Sequence, residues 1–163
     1  MKSSAALPQP LPAWHACALI ATWFGVGHLP RAPGTWGSLA ALPFAWAIHA
    51  AGGPFVLAAA SAALFAVGWW ASAEVVRRTG ERDPARIVVD EVAGQWLVLA
   101  AAPLDPVWFA AGFVLFRAAD ILKPWPASWA DRALSGGLGV MADDAFAALW
   151  AGAALLVAAQ LVG

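Results

Sequence analysis

The chain has 163 residues, of which 62% are hydrophobic and 12% are charged, and its mean hydropathy is +0.71. Soluble domains use about 45–50% apolar residues, so this composition indicates a single-domain integral membrane protein. The formal net charge is −1 and no stripe rich in Lys and Arg is present. DNA and RNA are therefore excluded as expected partners.

The first twelve residues carry three prolines (Pro8, Pro10 and Pro12) and one positive charge, Lys2. This composition is typical of a disordered lead-in rather than of a cleaved signal peptide. We expect residues 1–12 to be this lead-in and residues 13–163 to form one helical domain.

Six apolar segments without any Asp, Glu, Lys or Arg follow the lead-in. They are residues 13–29, 38–51, 55–73, 92–102, 107–116 and 145–162. A helix that crosses a membrane needs about 20 apolar residues, with about 17 as the lower limit. Segments 55–73 and 145–162 meet this requirement on their own.

Two turn signals predict helical hairpins. Residues 52–54, Gly-Gly-Pro, predict a turn that folds the apolar segments on either side of it into an antiparallel pair. Residues 103–106, Pro-Leu-Asp-Pro, separate two segments that are each too short to span a bilayer. We expect these two segments to form a second, shallower hairpin that neighbouring helices protect.

The charges are concentrated in two windows, residues 74–91 and 117–144. These windows hold seven of the nine basic residues and every acidic residue except Asp105. By the positive-inside rule both windows are cytoplasmic, and so is the loop that contains Arg31. The fold class expected is an all-α, multi-helix integral membrane bundle whose polar loops converge on one membrane face. Trp69 and Trp70 flank a charged window, as residues of an interfacial belt do.

Two acidic pairs stand where apolar helices are expected to begin. Asp90 and Glu91 precede the apolar segment 92–102, and Asp143 and Asp144 precede 145–162. Carboxylates near hydrocarbon are costly unless a cation or hydrogen bonds compensate them, so the pairs predict a site for a hard cation such as Mg²⁺. The structural alternative is that one acid of the second pair caps its helix.

Basic residues supply the complementary charge. Arg117, Asp120 and Lys123 are spaced three apart, so a helix would place them on one face, and Arg132 follows nearby. Arginine and lysine donors of this kind hold phosphate groups. The alternative is a solvated face whose ion pairs each contribute about 0–1 kcal/mol.

The first loop, residues 25–38, is rich in glycine and contains Thr35 and Ser38 just before an expected helix. Backbone N–H groups and hydroxyls in such a place can hold a phosphate, or one of the two hydroxyls can cap the helix. Acids, bases and this loop together predict a metal-bridged phosphate ester. A metal there would polarise a phosphoryl oxygen and activate a water.

Four blocks of the sequence carry a family resemblance. They are 33–38 (PGTWGS), 89–94 (VDEVAG), 116–126 (FRAADILKPWP) and 136–144 (GGLGVMADD). In this order and spacing they resemble bacterial phosphatidylglycerophosphatase A, over roughly residues 14–160. The resemblance implies an all-helical enzyme of the bacterial inner membrane, with its active site facing the cytoplasm. Such an enzyme uses Mg²⁺ to hydrolyse phosphatidylglycerophosphate, a phospholipid, to phosphatidylglycerol and phosphate.

The resemblance also implies which residues belong to the site. When the family pattern is matched to this sequence, its acidic site residues fall on Asp90, Glu91, Asp120, Asp143 and Asp144. Its basic site residues fall on Arg117, Lys123 and Arg132. Our hypothesis assigns metal binding to Asp90, Glu91, Asp143 and Asp144, and catalysis to Asp90, Glu91, Asp120 and Asp144, with one free carboxylate as general base. It assigns phosphate binding to Arg117, Lys123, Arg132, Thr35 and Ser38. Attack by water and a covalent intermediate on Thr35 or Ser38 both stay open.

Two other protein classes also place acidic residues at a membrane. Phosphotransferases that act on CDP-alcohols expect an Asp-Gly followed shortly by Ala-Arg, an order that this chain lacks. A small membrane transporter or assembly protein, with the acidic and basic loop cluster in a structural role, would place ionisable groups inside its spans. Here the charges collect between the apolar segments, which favours the enzyme.

Overall fold

A computed structural model describes residues 11–162, and these residues form helices joined by turns, without a strand among them. The predicted lead-in, residues 1–12, lies almost wholly outside the described residues. The helices are α1 (Ala16–Ala21), α2 (Pro33–Thr79), α3 (Val89–Leu99), α4 (Pro106–Leu122), α5 (Ala127–Ala133) and α6 (Gly136–Val162), and a short 3₁₀ turn covers Val26–His28. The predicted all-α class is therefore confirmed.

Helix α2 is broken at Gly53, whose φ of 79° and ψ of −177° are not helical. Glycine has no Cβ, so it adopts this conformation without steric cost, and Pro54 follows it with a ring that favours a new helix start. The break divides α2 into a first arm, residues 33–52, and a second arm, residues 54–79.

The first arm runs in the same direction as α3. Near the start of both helices, Gly37 lies against Val88, where an added Cβ would come within 2.9 Å of the valine side chain. Further along, the indole N–H of Trp96 donates to the backbone carbonyl of Ala41 at 3.0 Å.

The second arm runs in the opposite direction. The Ser61 hydroxyl donates to the backbone carbonyl of Ala93 at 2.8 Å, and Gly68, two turns later, lies near Val89 at the start of α3. The two arms are thus antiparallel, and the hairpin predicted around residues 52–54 is confirmed.

Helices α3 and α4 form the second hairpin. Gly112, near the middle of α4, lies against Leu99 at the end of α3, and Phe116 lies against Gly94 one to two turns earlier in α3. The turn between the helices is therefore at the end of the bundle opposite to Asp90, as the sequence predicted.

Helix α6 completes the bundle. Gly137 packs so closely on the second arm that an added Cβ would overlap the backbone of Ala73. Leu57, Phe116 and Leu155 are fully buried between the helices. Both α2 and α6 are long and apolar enough to cross a membrane.

Two predicted helix starts are wrong. Helix α2 begins at Pro33 rather than at residue 38, and its N-cap residue is Ala32, so neither Thr35 nor Ser38 caps it. Helix α6 begins at Gly136, so Asp143 and Asp144 lie in its third turn and are not caps. Proline favours the first position of a helix, and Gly137 permits close packing of the start of α6 on the second arm.

Candidate active site

Three carboxylates from two helices meet at the polar end of the bundle. Asp90 and Glu91 lie in the first turn of α3, and Asp144 faces them from α6. One carboxylate oxygen from each lies within 4.8 Å of those of the other two. Asp90 is 9% exposed and Asp144 is 3% exposed. We call these three residues the acidic cluster.

The acidic cluster has unsatisfied oxygens. Asp90 Oδ1, Glu91 Oε2 and Asp144 Oδ2 are all buried without a hydrogen-bond partner among the described residues. A buried polar atom without a partner costs about 1–3 kcal/mol, and more when it is charged. Such oxygens in one place therefore indicate a binding site for a positive group.

The pKa values of the α3 acids reflect this cost. Burial raises the pKa of Asp90 well above its usual value, and the nearby charges of Glu91 and Asp144 raise it further. Burial also raises the pKa of Glu91 to about 7, although a hydrogen bond with Asp90 opposes the shift. Both acids thus resist ionisation until a cation compensates them.

Arg117 of α4 borders the cluster. Its Nη1 lies 2.7 Å from Asp120 Oδ2 and 3.8 Å from Glu91 Oε1, and it donates to Ser38 Oγ at 3.4 Å. Its Nε has no partner among the described residues. The predicted pairing of Arg117 with Asp120 on one helical face is confirmed, and the guanidinium keeps a free donor for a ligand.

Lys123 follows directly after the helix that carries Arg117 and Asp120. Helix α4 ends at Leu122, and Lys123 adopts a left-handed backbone with φ 45°. Its Nζ bonds to Asp131 at 2.7 Å and to Asp143. Burial alone would lower the pKa of Lys123, but these two hydrogen bonds outweigh it and raise the pKa above its usual value.

A cavity of about 260 Å³ joins these groups. Seven of the predicted site residues line this acidic cavity: Asp90, Glu91, Arg117, Asp120, Lys123, Asp143 and Asp144. Asp143 is paired with Lys123 and stands outside the acidic cluster, so its role as a metal ligand stays a prediction.

The other three predicted residues are not among the described residues that line the acidic cavity. Ser38 is fully buried and contacts the cavity only through Arg117. Thr35 is half-buried in the first turn of α2. Arg132 lines a neighbouring cavity of about 220 Å³, which shares Asp143 with the acidic one.

Two residues of the acidic cavity wall that bear on its chemistry, Gly34 and Asp83, are not among the predicted site residues. A Cβ on Gly34 would overlap the Glu91 carboxylate, so only glycine leaves that carboxylate its place. The sequence signal for this close contact is a glycine that directly follows a proline at the start of a helix. Asp83 is exposed in the turn before α3 and lines both the acidic cavity and the neighbouring cavity that contains Arg132. Nothing in the sequence around Asp83 indicates this position.

The donor set of the acidic cluster consists of carboxylate oxygens alone. Hard cations prefer oxygen ligands, and Mg²⁺ is commonly held by one or two carboxylates together with waters and substrate phosphates. The buried, unpartnered oxygens therefore fit such an ion, and the nearby guanidinium and ammonium groups fit the phosphate that would accompany it.

Comparison with known proteins gives matches over most of the chain. A family model described as Phosphatidylglycerophosphatase A matches residues 19–159. The chain is 42% identical over 133 residues to Phosphatidylglycerophosphatase A of Escherichia coli (80% of this chain, 74% of the relative). It is 40% identical over 134 residues to Phosphatidylglycerophosphatase A of Haemophilus influenzae (82% of each).

A third relative has a different name. It is a Putative phosphatidylinositol-3-phosphatase of Bacteroides thetaiotaomicron, 39% identical over 159 residues (89% of this chain, 94% of the relative). No solved structure matches the chain. The range matched by the family model contains every residue that lines the acidic cavity.

Proposed function

This chain belongs to the phosphatidylglycerophosphatase A family, a family of phosphatases, and on that premise we propose its reaction in full. The chain hydrolyses the terminal phosphate of phosphatidylglycerophosphate, giving phosphatidylglycerol and inorganic phosphate, and it requires Mg²⁺. The observation that carries this proposal is the buried acidic cluster facing Arg117 and Lys123 across one cavity.

Asp90, Glu91 and Asp144 would hold the Mg²⁺. When bound, the ion polarises a phosphoryl oxygen and lowers the pKa of water. The three carboxylates each present a buried oxygen without a partner, whose cost a bound cation would compensate. We assign Asp143 a different task, which is to hold the Lys123 ammonium at the cavity wall.

Arg117 and Lys123 hold the phosphate. The guanidinium can bind two phosphate oxygens at once through its planar fork, whereas the ammonium acts as a point charge. The ion pair with Asp120 fixes the direction of the Arg117 side chain. Charge that builds up on the phosphate oxygens during reaction is therefore met by donors already in place.

Asp120 is the carboxylate we assign as general base. It lines the cavity and stands outside the acidic cluster. The oxygen of a water attacks phosphorus while a proton of that water passes to Asp120. The bond from phosphorus to the glycerol oxygen breaks, and the leaving oxygen takes up a proton from solvent water, which completes the alcohol. Asp120 then releases its proton to solvent, which restores the carboxylate.

We favour direct attack by water over a covalent intermediate. Neither Thr35 nor Ser38 lies among the described residues of the cavity wall, and Ser38 is fully buried. A Thr35→Ala, Ser38→Ala double variant should keep activity within about tenfold of the parent, the loss reflecting a weakened Arg117 contact. Retained activity in this variant would rule out a covalent intermediate on either hydroxyl.

The enzyme is proposed to lie in the bacterial inner membrane with the cavity facing the cytoplasm. Helices α2 and α6 are apolar and long enough to cross, and basic residues gather at the cavity end. Trp69 and Trp70, about half exposed near that end of the second arm, suit the membrane interface.

Phosphate release by purified protein in detergent tests the proposal. The substrates are phosphatidylglycerophosphate, phosphatidic acid and a soluble phosphomonoester, each with Mg²⁺ and with a chelator. We expect metal-dependent release from the first lipid. Release from all three would retain the phosphatase and remove the lipid specificity, and release from none would refute the assignment.

A further inference from the structure

Asp90 also borders a second cavity. It has a volume of about 320 Å³ and lies between the second arm of α2, helix α3 and helix α6. Asp90 lines both this cavity and the acidic one. Ala62, an exposed residue of the second arm, is part of its wall, so the cavity opens at the surface of an apolar helix.

The wall of this apolar cavity consists mainly of hydrocarbon. Ala58, Phe65, Leu97 and Met141 contribute to it, and of the described residues that line it only Asp90 and Ser61 have polar side chains. The Ser61 hydroxyl is already used, because it donates to the Ala93 carbonyl at 2.8 Å. Apart from Asp90, the described side chains of this wall therefore offer a polar ligand no free hydrogen-bond donor.

The size of the cavity suits an apolar occupant. It is roughly twice the volume of the ~150 Å³ apolar cavity that accepts benzene in an engineered protein. Its wall can also adapt, since methionine fills irregular spaces easily. A Cβ on Gly68 would come within 2.9 Å of Met141 Cε, so this glycine gives the Met141 side chain its room.

We propose that the apolar cavity binds an acyl chain of the phospholipid substrate while the headgroup of that lipid reaches the acidic cavity. This inference rests on the proposed function. Asp90 lines both cavities, and a ligand that fills both must combine a hydrocarbon chain with an anionic headgroup. A membrane phospholipid that carries a terminal phosphate has this combination.

Binding of the chain beside Asp90 has a kinetic consequence. The binding energy of a part of the substrate that does not react helps to position the phosphate. A substrate with long acyl chains should therefore depend on the apolar cavity, whereas a short-chain, water-soluble analogue should not.

A pair of neighbouring substitutions tests this dependence. Ala62→Phe places a ring in the cavity, and Ala63→Phe is the control, because Ala63 is an exposed neighbour outside the described wall. For long-chain phosphatidylglycerophosphate, Ala62→Phe should lower kcat/KM by about tenfold or more, comparable to the effect of changing a hydrophobic pocket by a few methylenes. The kcat/KM of Ala62→Phe for the short-chain dihexanoyl analogue should stay within about twofold of the parent value. The kcat/KM of Ala63→Phe should do so for both substrates.

Ala58→Leu narrows the same cavity from another position and guards against a folding defect in a single variant. Equal losses on long-chain and short-chain substrates in both cavity variants would overturn the acyl-chain site.

Photocrosslinking gives a readout that does not need turnover. The probe is phosphatidylglycerol in vesicles, with a diazirine on one acyl chain, and adducts are mapped by mass spectrometry. Adducts at residues 58–65, Leu97 or Met141 that disappear in Ala62→Phe and persist in Ala63→Phe would support the site, even if phosphate release failed. Adducts spread over exposed residues such as Phe55 and Val56, unchanged by Ala62→Phe, would refute it.

Discussion

Two groups of charged residues in this molecule differ in how their charges are compensated. Near the end of α2, Glu74 is held by Arg77 at 2.7 Å and by Arg78 at 2.9 Å, all within one turn of helix and open to solvent. In the acidic cluster, by contrast, three carboxylates from α3 and α6 meet with unpartnered oxygens. Exposed ion pairs such as those of Glu74 contribute little to stability. A buried cluster of acids without partners instead indicates a candidate functional site.

The largest effect should come from the acidic cluster. Asp90→Asn removes one charge and keeps the size of the side chain, so we expect phosphate release to fall by roughly 10³-fold or more, as when a central electrostatic group of an active site is lost. The measurement is the initial rate on phosphatidylglycerophosphate with saturating Mg²⁺. A near-normal rate would remove Asp90 from the mechanism.

The same variant separates function from stability. In chelator the Tm of Asp90→Asn should equal or exceed that of the parent, because the variant no longer buries an ionisable carboxyl group with an unpartnered oxygen. The stabilisation of the parent by Mg²⁺ should disappear. Asp105→Asn is the matched control, since Asp105 caps α4 at the opposite end of the bundle and asparagine caps equally well. It should leave activity and the Mg²⁺ effect unchanged.

The next largest effect is expected at Arg117. Arg117→Lys keeps the charge but removes the planar fork, so kcat/KM should fall by about 10- to 100-fold, mainly through a higher KM. Arg77→Lys, at an exposed pair, is the control and should behave as the parent. Equal kinetics in the two variants would show that Arg117 acts only as part of an ion pair.

Much of this arrangement follows from the sequence, and the remainder depends on packing. The apolar segments and the turn at residues 52–54 predict the helical bundle. The charge distribution in the sequence also predicts that both acidic pairs lie at one polar end of it. Consecutive residues on a helix point about 100° apart, so the rotation of α6 decides which acid of its pair joins the cluster. Contacts such as Gly137 against Ala73 set that rotation, and they cannot be read from local spacing.

Lys123 should show an intermediate effect, since its environment combines features of both charge groups. Its side chain is 30% exposed, but its partner Asp143 is only 10% exposed. Lys123→Met leaves that carboxylate without a cation, so we expect the free energy of unfolding to fall by about 1–2 kcal/mol. Adding Asp143→Asn should restore much of this stability while phosphate release stays low. Recovery of both would assign Lys123 a structural role alone.

The smallest effect is expected at Glu74. Glu74→Gln removes the acid that both arginines share, yet the pair is exposed and screened by salt, so Tm and phosphate release should match those of the parent at 0.15 M salt. Arg78→Gln, which removes charge from the other side of the pair, should give the same result. A loss of activity in Glu74→Gln alone would mean that the Glu74 charge influences the acidic cavity from the C-terminal end of α2. In that case the two groups would form one electrostatic network, and burial alone would not distinguish the residues that carry chemistry.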